Sequence, residues 1–264
     1  MDRRILVVVD GGGLAEGGVR VLAQLDRPRQ TQVLLVTLSG GDPDEPSRRL
    51  EEAGVVVRSR QLKGSVVLAG SLLRSAAHEF GADLAAIQAS GRTASGALLL
   101  VGREHRVVSL LPGPVLLLPA PPDAAGATRG RRRLLVAVRS LAALPGTAAA
   151  VRDLTVDPGA SVLLLHVLAP AGPEGKATVL FEAARGLLPA LEGRMETRVV
   201  RGARAAGEEV AGVAADWNAD LVVACARHSC GPGGLILGAV PHQVVRLASR
   251  PLLLAPREAA VAPG

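Results

Sequence analysis

The chain has 264 residues, 48% of them apolar, 20% charged and 1% aromatic, a length that favours two domains over one larger core and a composition that excludes a disordered chain. The formal charge of +6 and a pI near 10.7 invite an acidic partner. Lys63 and Lys176 are the only lysines, however, so an Arg-favouring genome is the competing cause, and so few aromatic side chains leave almost no stacking platform for nucleic acid, which is not expected as a partner.

The chain opens MDRRILVVVDGGG, whose apolar run of five residues is far shorter than the core of a signal peptide. No uninterrupted apolar stretch approaches the roughly 20 residues that span a bilayer. Cys225 and Cys230 are the only cysteines and supply no disulfide framework. A soluble, cytoplasmic protein without membrane insertion is therefore expected.

In chain order, ILVVVD (5–10) and TQVLLVTL (31–38) read as strands, SVVLAGSLLRSAAHEF (65–80) as an amphipathic helix, and FGADLAAIQAS (80–90) as a further strand. IQASGRTASGALLLVG (87–102) leads from that strand through a small-residue loop into a helix, and PVLLLP (114–119) is the last strand of this half. PAPPDAAGATRGRRR (119–133) has no apolar periodicity and reads as a linker, in which the cluster Arg129, Arg131, Arg132 and Arg133 is expected to be solvated.

The same order then recurs. LLVAVR (134–139) matches the first strand, ASVLLLHVL (160–168) the second, WNADLVVACAR (217–227) the fourth and PLLLAP (251–256) the last. The offset grows from 129 to 137, which places an insertion of about eight residues in the middle helix of the second half. AAGEEVAGVAADW (205–217) reads as a helix before the matching strand. Continuous apolar runs separated by amphipathic helices predict parallel strands covered on both faces: an α/β fold of two tandem doubly wound, Rossmann-like parallel-sheet domains. The expected boundaries are 1–119 and 133–257, with a linker at 120–132 and a tail at 258–264.

In such sheets the ligand lies beyond the carboxyl ends of the strands, and a Gly-rich loop opening a helix lets backbone N–H groups approach an anion. ILVVVDGG, GADLAAI, GRTASGALLLVG and PVLLLP, followed in the second half by LLVAVR, NADLVVA, GPGGLILGAV and PLLLAP, resemble in that order the strands and phosphate loop of universal stress protein domains. The similarity covers nearly all of residues 1–257 and implies membership of the adenine nucleotide alpha hydrolase-like group. It implies ATP as the ligand, held by a loop of Gly, two residues, Gly, nine residues, Gly and Ser, together with an Asp that ends the first strand. It further implies domains paired through their last strands, here an intramolecular pair through PVLLLP and PLLLAP, with a homodimer left open.

Set on that pattern, the first half keeps Asp10 and Gly91 but has Gln88 for the first glycine, Val101 for the third and Gly102 for the Ser. The second half has Arg139 for the acid, Cys225 and His228 for the first two glycines, keeps Gly238, and has Ala239 for the Ser. The candidate cofactor-binding residues are thus Asp10, Gly91 and Gly102 in the first half and Gly231, Gly238, Ala239 and Val240 in the second. Loss of tight ATP binding, leaving a structural or regulatory module, is favoured over a modified site that persists through Asp10.

Other chemistry finds less support. Cys225, His228, Cys230 and His242 lack the paired spacing of zinc ligands, and no metal is expected. Cys225 reads as core at a strand end, while a redox-sensing Cys230 at a helix start is an open alternative. Ser90 and Ser95 have no assignable acid and base, so no catalytic residue is named, although an ATP hydrolase of the same group stays as a rival. His166 reads as a satisfied core histidine, His105 as exposed, and Trp217, which matches Phe80, as core at a helix end.

Overall fold

A computed structural model describes residues 3–9, 13–25, 31–38, 42–62, 66–88, 113–118, 132–154, 159–173, 175–202, 204–225, 227–228, 235–236, 240, 243–244, 247 and 250–256. The chain divides into two compact units, the first Met1–Ala125 with Ser229–Ile236 and the second Gly126–His228 with Leu237–Gly264.

The first unit carries β1 (Arg3–Val9), α1 (Glu16–Gln24), β2 (Thr31–Leu38), α2 (Asp44–Glu52), β3 (Val56–Leu62), α3 (Val66–Phe80), β4 (Leu84–Gln88) and β5 (Val115–Leu118). Its strands lie in the order β3-β2-β1-β4-β5, and every neighbouring pair is parallel. The second unit carries β6 (Arg133–Ala137), α4 (Leu144–Leu154), β7 (Ser161–Leu168), α5 (Gly175–Leu187), β8 (Met195–Arg201), α6 (Ala206–Asp216), β9 (Leu221–Cys225), the two-residue β10 (Arg227–His228) and, after the two-residue β11 (Leu235–Ile236) that belongs to the first unit, β12 (Leu252–Ala255). Its parallel order is β8-β7-β6-β9-β12, the same winding as the first unit.

Burial explains why the inner strands read as unbroken apolar runs. Helices cover both faces of a doubly wound sheet, and Ile5 to Val9, Leu134 to Val136 and Val162 to Leu165 are all essentially inaccessible. The outer strands β3 and β8 are polar and mostly exposed, as suits a sheet edge that must not template another chain. The predicted insertion lies where the offset put it, since the nine-residue α2 is matched by the 13-residue α5 and a three-residue 3-10 turn at Pro189–Leu191.

The repeat extends to individual hydrogen bonds at the amino-terminal end of each sheet. In the first unit Asp83 accepts the Arg4 N–H at 3.2 Å and returns its own N–H to the Arg4 carbonyl at 2.9 Å. In the second, Asp220 accepts the Arg133 N–H at 2.8 Å and returns its N–H to the Arg133 carbonyl at 2.9 Å. One turn earlier, α3 and α6 end alike. Gly81 (φ +66°) and Asn218 (φ +49°) take the left-handed conformation, and the following Ala82 and Ala219 N–H groups bond back to Ala77 and Ala214. The recurring Gly/Asn-Ala-Asp triplet therefore closes a helix and ties the next strand to the first.

Arg132 and Arg133 are not part of a solvated linker: Arg132 donates to the Leu154 carbonyl at 3.2 Å, while Arg133 starts β6 and stacks its guanidinium 4.4 Å from the centre of the Trp217 ring. Strand pairing and an aromatic face outcompete water for these two side chains. Trp217 itself is buried at the end of α6, as expected.

Burial pushes the Asp220 carboxyl above the usual carboxylate range, against the Arg133 N–H bond and the charges of Arg250, Arg132 and Arg133. Its Oδ1 is buried and without a hydrogen-bond partner. A folded state that holds a proton more tightly than the unfolded state gains stability at low pH and loses it as pH rises from about 4 through the raised value. Asp220→Asn keeps an acceptor but removes the charge. Wild type is therefore expected to lose stability relative to Asp220→Asn as pH rises from about 4 to 7, followed by the fluorescence of Trp217, the chain's single tryptophan. A difference that does not change with pH would refute this.

Candidate crevices at the strand ends

A doubly wound sheet opens a crevice where its strand order reverses. That point lies between β1 and β4 in the first unit and between β6 and β9 in the second. Parallel partners in register point their side chains to the same face, so the pairings define a row across each carboxyl end. In the first unit Thr37 pairs with Val9 and Gln88 with Leu118, and Val9 and Gln88 each follow the paired Val8 and Ile87, which aligns the four. In the second Cys225 pairs with Ala255, and His166, Val138 and Cys225 each follow the paired Leu165, Ala137 and Ala224 by one residue.

The first row lies beneath the start of α1. A Cβ on Gly18 would stand 2.7 Å from Gln88 Oε1, 3.0 Å from Leu14 Cδ1 and 3.3 Å from Leu118 Cδ1, so this helix turn presses on the strand ends and glycine is what lets it. Ala15, the N-cap of α1, offers no side-chain cap. Instead its N–H donates to Gln88 Oε1 at 3.3 Å, and Gln88 is only 6% exposed. A residue 73 positions away thus satisfies the N-cap N–H, as a local Glu or Gln does in a capping box. In the same row Thr37 is 1% exposed and its Oγ1 has no hydrogen-bond partner.

The second row is differently filled. His166 is buried, and its Nδ1–H donates to the Val138 carbonyl at 2.7 Å, which makes it the satisfied core histidine its sequence context implied and pins the chain as it leaves β6. Cys225 ends β9 half-buried, and Arg139 is exposed just beyond β6. At the start of α6, Glu209 reaches back to accept from the Arg204 N–H at 3.2 Å and from Arg204 Nη2 at 3.2 Å, raising the Arg204 pKa. The Gly207 N–H donates to Gln243 Oε1 at 3.2 Å. These helix N-terminal groups are spent on the protein's own side chains.

Of the residues that the sequence nominated, Asp10, Gly91, Gly102, Gly231, Gly238 and Ala239 lie outside the described residues, as do Val101, Cys230, His105 and His242. Val240 is half-buried, and its carbonyl would lie 2.9 Å from a Cβ placed on Gly207. Sequence reasoning marked Gln88 only as a departure from glycine and passed over Thr37, Glu209 and Gln243. The repeat carried a signal for Thr37, because it aligns this residue with His166 as a polar group inside an apolar strand. Among the described residues no group of three or more His, Cys, Asp or Glu gathers to hold a metal, and no helix is long and apolar enough to cross a membrane.

A profile of the Universal stress protein family matches residues 130–256. Over these residues the chain is similar to a universal stress protein domain. The fold extends through both halves. A universal stress protein from Archaeoglobus fulgidus DSM 4304 superposes with a TM-score of 0.67 at 17% identity, covering 96% of this chain and 98% of that one. A protein from Pseudomonas aeruginosa UCBPP-PA14 named for the same family gives 0.66 at 16% identity over 97% and 93% of the two chains. The cytoplasmic domain of a prokaryotic cation chloride cotransporter gives 0.62 at 14%, covering 97% and 95%. At these identities the likeness is one of fold. Among curated proteins nothing matches.

Proposed function

We propose that the chain is a universal stress protein-type binding and regulatory protein of the cytoplasm, its two halves acting as a pair, with the adenine nucleotide site weakened. One observation carries this reading. The residue ending the strand beside each crevice, where a loop must bring bare backbone up to a phosphate, bears a side chain in both halves, Gln88 and Cys225, and Gln88 is turned onto the start of α1. These residues do not fit the close approach that ATP phosphates need. The placement of the described polar groups also favours binding over catalysis: His166 is spent on a carbonyl, while Asp83 and Asp220 serve at the opposite end of the sheets.

Calorimetric titration with MgATP tests the reading. The purified chain should bind no tighter than about millimolar, an interaction of about 4 kcal/mol, and should carry no nucleotide in native mass spectrometry. Saturable micromolar binding that Asp10→Ala abolishes would instead establish a working site in the first half.

A further inference from the structure

We propose that Gln88 is an internal occupant of the first-unit crevice, a built-in plug that holds the start of α1 in place of an external anion. This rests on the reading of a weakened site and names the device that weakens it. A helix start presents N–H groups that need acceptors and a partial positive charge, and it takes an anionic oxygen when one can reach it. Here the N-cap N–H of Ala15 is given to a neutral amide delivered from the end of β4, on the reversal point of the sheet.

Three features show that the position is built for that amide. Gln88 is 6% exposed, so its side chain fills the space rather than brushing past it. Gly18 leaves room for Oε1, since any larger residue there would place a Cβ at 2.7 Å. Thr37, on the same sheet face at the same level, keeps a buried Oγ1 with no partner, a polar group that the plug leaves unserved. The second unit reaches the same level with His166 and Cys225 and has no glutamine in the row. At this level the described residues differ between the two crevices, the first presenting a glutamine amide and the second a histidine and a cysteine.

Removing the plug should uncover the seat. Gln88→Ala takes away the amide but keeps a strand-compatible residue, whereas Gln88→Leu restores most of the volume without an acceptor. Inorganic triphosphate and MgATP are the two probes, the first reading the phosphate seat alone and the second adding the nucleoside. Gln88→Ala should bind triphosphate at least about tenfold tighter than wild type, worth about 1.4 kcal/mol, while Gln88→Leu should stay at the wild-type level. An additional gain with MgATP would locate the nucleoside at the same crevice.

Amide hydrogen exchange at Ala15, measured without ligand, reports the plug directly and needs no binding. Ala15 should be protected in wild type and lose protection in Gln88→Ala, in Gln88→Leu, and in Gly18→Ala, whose methyl group displaces Oε1. Equal exchange in wild type and Gln88→Ala overturns the proposal, as does a folded Gln88→Ala that binds triphosphate no better than wild type. Weak binding by both proteins sinks the plug alone. Tight binding by both sinks the weakened site as well.

Discussion

Gly207→Ala should destabilise the second unit by about 1–3 kcal/mol through overpacking, with about 1 kcal/mol more if the hydrogen bond to Gln243 is lost. A Cβ at this position would meet Gln243 Cβ at 2.4 Å, Gln243 Oε1 at 2.6 Å and the Val240 carbonyl at 2.9 Å. Two of those atoms belong to backbone or to the root of a side chain, so a rotamer change does not relieve them and the helix itself must move. The same shift would lengthen the Gly207 N–H to Gln243 Oε1 bond, which satisfies one of the orphan donors at the start of α6. Gly212, in the same helix, supplies the control. Its nearest neighbour to a new Cβ is Arg204 Nη2 at 3.7 Å, so Gly212→Ala should gain about 0.5–1 kcal/mol from helix propensity. Urea unfolding followed through Trp217 separates the two, and a Gly207→Ala protein within about 0.5 kcal/mol of wild type would show that the contact is slack.

Leu135→Ala should cost more, about 2–5 kcal/mol, because it removes side-chain volume at the centre of a sheet that has little freedom to collapse. Leu135 is fully buried in β6, paired with Leu163 of β7 on one side and Val222 of β9 on the other. Leu135, Leu163 and Val222 are all aliphatic, and the chain has only two Phe and one Trp with which to fill a gap. Leu141, 52% exposed, provides the comparison, and its replacement by Ala should change stability by no more than about 0.5 kcal/mol. Should the two variants unfold at the same urea concentration, the core would not be packed around β6 as described.

The winding of each sheet was legible in the chain because its physical cause is local and periodic. A strand covered on both faces must be apolar at every position, which is how ILVVV, LLVAV and LVVA announce themselves, and a crossover helix between parallel strands must be amphipathic. The internal repeat doubled that signal, and the growth of its offset from 129 to 137 located the insertion that the lengths of α2 and α5 then display. The Asp83 and Asp220 ties were also present as a recurring triplet, although nothing in a linear reading says that their partners are Arg4 and Arg133.

The crevice was legible only in part. A one-dimensional motif reports which residue replaces a glycine, not where its side chain goes. Gln88 reads equally well as a solvated strand end, a plug or a ligand group, and the choice depends on Gly18 and Ala15, which lie about 70 positions earlier, Ala15 donating to it at 3.3 Å and Gly18 leaving it room. His166 illustrates the converse, since its apolar surroundings in sequence already implied burial and therefore a partner, and the Val138 carbonyl is that partner.

The residues alone were enough to give the architecture of each half and its resemblance to universal stress protein domains, because burial on two faces and repetition leave marks at every residue. The occupancy of the strand ends came from the three-dimensional arrangement: the amide on the start of α1, the orphan hydroxyl of Thr37, the raised carboxyl of Asp220 beside Arg133. These depend on a few angstroms between residues far apart in the chain. Hydrogen bonding and desolvation act over that range, and a pattern of residue types does not resolve it.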